Sequence, residues 1–257
     1  MATQILNHQL SKEAEALFEE VIRGLQNTVC FHPVADLGER GSDCYGALDF
    51  SSHDAYHIWL STKLYGDVFE ANMFHELHHI QQIEQGYPGV YNKEVPVFQS
   101  EESLFFEQLG RHLQSIILDL DVWNWVVKHG MQIRYFTKRY YQGAKATIRI
   151  HYDRLNDRFN FANYVCAFIL FFSHATELQR NEILRDAQYN PDAVSFAASL
   201  SDEIRQIGYS DPLSTAKCMG LLLNKMDLWD TYSIGFNGVF LHTHEEFDSY
   251  MQHITKS

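Results

Sequence analysis

The chain has 257 residues, 46% hydrophobic and 21% charged, with only 5 Pro and 14 Gly; this argues against a disordered or low-complexity protein and fits one generous domain or two small ones. Its formal charge of −13, from 20 Lys and Arg against 33 Asp and Glu, disfavours a general nucleic-acid binder, which needs a basic face. The 18 Phe and 14 Tyr predict a core built from large side chains.

In chain order, the start MATQILNHQLSKEAEALFEEV lacks a charged n-region followed by an apolar h-region, so no signal peptide is expected. Ser11 is placed to cap an amphipathic helix whose apolar side is Ala16, Leu17, Phe18, Val21, Ile22 and Leu25. CYGALDF from Cys44 and YHIWLS from Tyr56 are short, aromatic and bounded by Gly, Ser and Asp, as strands are. A helix follows from about Asp67 to Gln85, ended by Gly86, Pro88 and Gly89. Ser100 can cap the next helix, EESLFFEQLGRHLQSIIL, and Asp119 or Asp121 opens a short one that stops at Gly130.

The basic stretch from residue 131 to 157 holds the one plausible boundary, with a strand around Ala146 to His151. Its Lys and Arg residues read most simply as a solvated face. Beyond Phe159 the chain reads as helical, in segments to about Asp186, from Pro191 to Gln206, from Asp211 to about Trp229, and from His244 to Ile254. The most apolar run, Tyr164 to Phe172, is too short to span a bilayer. No CxxC pair links Cys30, Cys44, Cys166 or Cys218, and a cytoplasmic protein is expected.

The chemistry concentrates in FHELHHIQQ, Phe74 to Gln82, which contains HExxH as His75, Glu76 and His79. On a helix, residues four apart lie about 40° apart around the axis, so His75 and His79 share a face as two ligands to one ion require. Glu76 sits about 100° to one side, able to reach a water held by that ion and act as general base. Met73, Phe74, Leu77, Ile80 and Ile83 predict a packed helix, in which two imidazoles and a carboxylate are costly to bury unless something satisfies them. The competing reading is a histidine-rich helix hydrogen-bonded within the fold. His78 lies off the ligand face and reads as a packing residue.

From about Cys44 to Gly130 the sequence resembles the zincin metallopeptidases, more narrowly the gluzincin type, on His75, Glu76, His79 and a following helix rich in acids. The resemblance implies one Zn²⁺ per chain, a hydrolytic activity on peptide or protein substrates, and a glutamate on that following helix as third ligand. The NExxSD-like signature of some gluzincins and the third histidine of metzincins are absent. Helical phase favours Glu102, which lines up with Phe106, Leu109 and Leu113, and then Glu101, which lines up with Phe105 and Leu109. Glu107 falls on the wet side, and first-turn acids also suit a helix dipole with no metal. His174 and Glu177, three apart on one helix face, are a further polar pair, read most simply as hydrogen-bonded to each other.

The expected fold is α+β and mostly helical: a zincin-like half over residues 1–130, with a small sheet and the HExxH helix, then a helical lobe over 131–257. The expected function is zinc-dependent hydrolysis with Glu76 as base; the alternative is a non-catalytic metal-binding or regulatory protein on the same scaffold. A di-iron carboxylate bundle would need a second ExxH, which is absent. No nucleic-acid partner and no membrane are expected.

Overall fold

The computed structural model describes residues 3–35, 46–49, 55–93, 101–151, 155 and 157–256. The chain is mostly helical with small sheets, as the α+β expectation has it. It forms two compact units, one of Met1–Gln85 with Val122–Tyr135 and the other of Gly86–Asp121 with Phe136–Ser257. The last crossing between them falls inside the basic stretch that begins at residue 131. Among the described residues, no helix is long and apolar enough to cross a membrane.

The first unit opens with a hairpin, β1 (Gln4–Ile5) against β2 (His8–Gln9). Leu6 and Asn7 both take positive φ, 48° and 69°, as a two-residue hairpin turn demands. Helix α1 (Lys12–Gly24) begins where Ser11 Oγ accepts the Ala14 N–H at 3.2 Å. Ser11 is also held from behind: its N–H and Oγ donate to the Glu70 carboxylate at 2.6 and 2.9 Å.

Strands β3 (Thr28–Val34), β4 (Gly46–Asp49) and β5 (Ala55–Ser61) form a sheet in the order β3-β5-β4, with β3 parallel and β4 antiparallel to β5. Alternation divides β5 into a buried face of Tyr56, Ile58 and Leu60 and a half-buried face of His57 and Trp59. Helix α2 (Gly66–Glu84) packs on β4 and β5. Residues Phe69 to His78 of α2 are buried around the whole circumference, so this is a central helix and not a surface one. Gly86, at φ 73°, stops it in a left-handed conformation.

Glu101–Lys128 is one helix, α3, which corrects the expected break at Asp119 or Asp121. No Gly or Pro interrupts LDLDVW, and the buried residues Ile116, Ile117, Leu120 and Trp123 carry the apolar pattern straight through. Asp121 caps nothing; buried, it accepts the Tyr87 hydroxyl at 3.1 Å. Ser100 and residues 50–54 lie outside the described residues.

In the second unit, α4 (Arg134–Thr147) takes in the first two residues of the strand expected from Ala146 to His151, a turn follows in place of the rest, and Ile148 tucks under the last helical turn. The expected long helix to Asp186 is two: α5 (Arg158–His174) and α6 (Glu177–Asp186). Thr176 and Gln179 make a reciprocal capping box that starts α6, a T-x-x-Q signal visible in the sequence. Helices α7 (Pro191–Ile207), α8 (Pro212–Lys225) and α9 (His244–Lys256) follow the expected segments.

Between α8 and α9 lies an unexpected hairpin, β7 (Tyr232–Phe236) and β8 (Val239–Leu241), and β6 (Gly89–Asn92) pairs with β7. Its turn is Asn237-Gly238, both at positive φ, a strong short-range hairpin signal. The core of this unit gathers Phe168, Ile169 and Phe172 of α5 with Val194 and Ala197 of α7 and Met219 and Leu223 of α8.

Candidate metal centre

Helix α2 carries its polar groups inside. Glu70, Asn72, His75, Glu76, His78 and Gln82 are all buried, Glu76 at 6% exposure and Gln82 at 1%, among the fully buried Met73, Phe74, Leu77 and Ile80. A buried carboxylate beside imidazoles is stable only where each is matched by a partner. Glu70 has Ser11; His75, Glu76 and His78 lie on the HExxH turn, with Asn72 one turn before it and Gln82 one turn after.

The two histidines meet there. His75 Nε2 and His79 Nε2 are 3.1 Å apart, while their ring centroids lie 4.7 Å apart with the planes at 86°. The centroid separation exceeds the nitrogen separation by less than two ring radii, so the two nitrogens do not face each other head-on. At 3.1 Å they are within hydrogen-bond reach of each other. Two nitrogens each 2.0–2.1 Å from a tetrahedral zinc ion stand about 3.3 Å apart, so the same spacing also suits two ligands to one ion.

Each ring is held from a second side. His79 Nδ1 lies 2.9 Å from Gln82 Oε1, within hydrogen-bond reach; a proton on Nδ1 donated to that oxygen would leave Nε2 with its lone pair. His75 packs on the Trp123 indole, with centroids 4.3 Å apart. His78 is turned elsewhere: its Nδ1 meets Gln81 Oε1 at 2.8 Å and its ring stacks on Trp125 at 4.7 Å.

The acids of α3 fall into separate environments. Glu101 and Glu102 form its first turn, and their side chains lie outside the described residues. Glu107 is exposed and paired with Arg111, one turn on. Asp119, one turn before Trp123, accepts the Ser115 hydroxyl at 3.1 Å. The sequence reading assigned Asp119 to a helix cap. The unbroken run of α3 removes that role.

Other histidines separate from this centre. His174 ends α5 while Glu177 opens α6, so they do not share a helix face as expected. His174 Nε2 is buried without a hydrogen-bond partner, and burial, with the Arg205 charge second, lowers its pKa to about 4. His244 lies near Asp248 at the start of α9. A second histidine pair escaped the sequence: His32 Nε2 and His57 Nδ1 are 2.9 Å apart across β3 and β5, with His32 stacked on Trp59 at 4.9 Å. Only the parallel register, Cys30 opposite His57 and His32 opposite Trp59, brings them together.

No protein-family model, curated protein or solved structure matches this chain. The likeness to gluzincins therefore rests on His75, Glu76, His79 and their surroundings.

Proposed function

We propose that this protein is a zinc-dependent hydrolase acting on peptide or protein substrates, with one ion held by His75, His79 and a carboxylate of α3, and with Glu76 as general base. The 3.1 Å approach of the two Nε2 atoms, a spacing that suits two ligands to one ion, carries this reading. Zinc in such a site acts as a Lewis acid that polarises a carbonyl and makes a nearby water more acidic. Glu76, beside His75 on the same turn and screened from bulk solvent, accepts the proton that the attacking water gives up. Gln82 keeps His79 in the tautomer that presents Nε2.

Asp119 is our choice for the third ligand, because it shares a face of α3 with Trp123, whose ring lies on His75. Glu101 and Glu102 are the alternatives. At 1.5 Å of rise per residue they sit roughly 26 Å along the helix axis from Asp119, so the two choices exclude each other. We assign the protein to the cytoplasm, a reading supported by the free thiols of Cys30, Cys166 and Cys218.

Metal analysis of the wild type, His75→Ala, Asp119→Ala and Glu102→Ala, followed by hydrolysis of a peptide library, tests this. The expected result is one zinc per chain, lost in His75→Ala and Asp119→Ala and kept in Glu102→Ala. A metal-free wild type after zinc is offered overturns the site. Bound zinc with no hydrolysis of any peptide or protein overturns the activity and leaves the non-catalytic alternative.

A further inference from the structure

Two consecutive glutamines follow the motif, and each meets the histidine three residues before it: Gln81 with His78 at 2.8 Å, Gln82 with His79 at 2.9 Å. The pairs look alike and differ in consequence. His78 stacks on Trp125. His79 instead brings its Nε2 to 3.1 Å from His75 Nε2. Gln82 is buried at 1% exposure, whereas Gln81 is half-buried.

Resting on the metal reading above, we infer that Gln82 is the positioning residue of the centre: its side-chain oxygen holds the proton on His79 Nδ1 and locks the ring with Nε2 toward the ion. An imidazole without such a partner divides its proton between two nitrogens and rotates about its side-chain bonds. A fixed acceptor removes both freedoms before the ion arrives. The outer partner of a metal-binding histidine contributes about 10–100-fold in affinity. An amide does this without adding a charge, so Gln82 leaves the net charge of the ligand set to the carboxylate alone. A glutamate at the same position keeps the acceptor, and a leucine of nearly the same length removes it.

The test is a matched pair of substitutions on the full chain, with competition titration of Zn²⁺ against a chromogenic chelator and the visible spectrum of the Co²⁺ form as readouts. Gln82→Leu is expected to weaken Zn²⁺ binding about 10–100-fold and to alter the Co²⁺ spectrum. Gln82→Glu restores binding to the wild-type value or better. Gln81→Leu, the same change one position earlier, stays within twofold of wild type. Gln82→Met serves if the leucine variant does not fold, and circular dichroism establishes folding in each case. Wild-type affinity in Gln82→Leu overturns the inference, as does an equal loss in Gln81→Leu. A wild type that binds no metal overturns the metal reading itself, a different outcome from either.

Discussion

His32 and His57 meet across two parallel strands; His75 and His79 meet across one turn of a helix. The nitrogen separations are similar, 2.9 and 3.1 Å. In the strand pair the planes are within 26° of each other and the centroids are 5.1 Å apart, longer than the nitrogen distance by two ring radii. Ring, nitrogen, nitrogen and ring lie nearly on a line, which is the geometry of one N–H···N hydrogen bond. In the helix pair the planes are nearly perpendicular, and the 4.7 Å centroid separation is too short for a head-on pair. The first pair is aligned as one hydrogen bond; the second, also within hydrogen-bond reach, is the pair to which the proposed ion is assigned. Distance alone does not separate the two; the alignment of the rings does.

That contrast can be broken most decisively by metal content. His79→Ala should take bound zinc from one per chain to near zero, and His32→Ala should leave it at one, measured by elemental analysis of purified protein. Zinc lost from His32→Ala as well would erase the distinction. Glu76→Gln is expected to keep the metal and to lower turnover by about 100-fold or more, read as initial rates of peptide hydrolysis. Retained turnover would remove Glu76 from the chemistry.

A histidine with neither kind of partner sharpens the contrast. His174 has its pKa lowered from 6.5 to about 4, chiefly by burial. The unfolded chain therefore binds a proton that the folded chain refuses. Its neutral form supports the fold fully above pH 6.5, and that support is lost as pH falls toward 4, by at most about 3 kcal/mol. The urea midpoint of the wild type should fall more steeply than that of His174→Gln as pH drops from 6.5 toward 4; identical pH slopes in both would contradict the assignment. The smallest effect belongs to the strand pair. His57→Phe should cost about 1 kcal/mol, the net value of one hydrogen bond, with metal content unchanged.

The two pairs also differ in how far the sequence reveals them. His75 and His79 are four residues apart on a helix marked by its apolar neighbours and by Gly86, so local spacing brings them together. His32 and His57 are 25 positions apart. Their meeting depends on the order β3-β5-β4, and nothing in either segment states that β5 pairs in parallel with β3. The same divide runs through the rest of the fold. The α1 cap at Ser11 and the segments that become α7 and α9 follow from local signals. The hairpin at Asn237-Gly238 and the capping box at Thr176 were equally local, but long helical periodicity on either side masked them. Asp119 and Asp121 show the reverse error. Acids that suit a cap were read as one, although the apolar pattern of α3 continues past them without a break.

The chain has four tryptophans, and every one lies against a histidine ring: Trp59 on His32, Trp123 on His75, Trp125 on His78 and His129, and Trp229 beside His244. Indole emission responds to a charge placed at its face, and imidazole is the side chain that gains charge near neutral pH. The protein thus carries its own optical indicators beside several of its histidines. Trp123 reports on the HExxH turn and Trp59 on the strand pair, so single-tryptophan variants allow the two to be followed independently in one cuvette, without label or added probe.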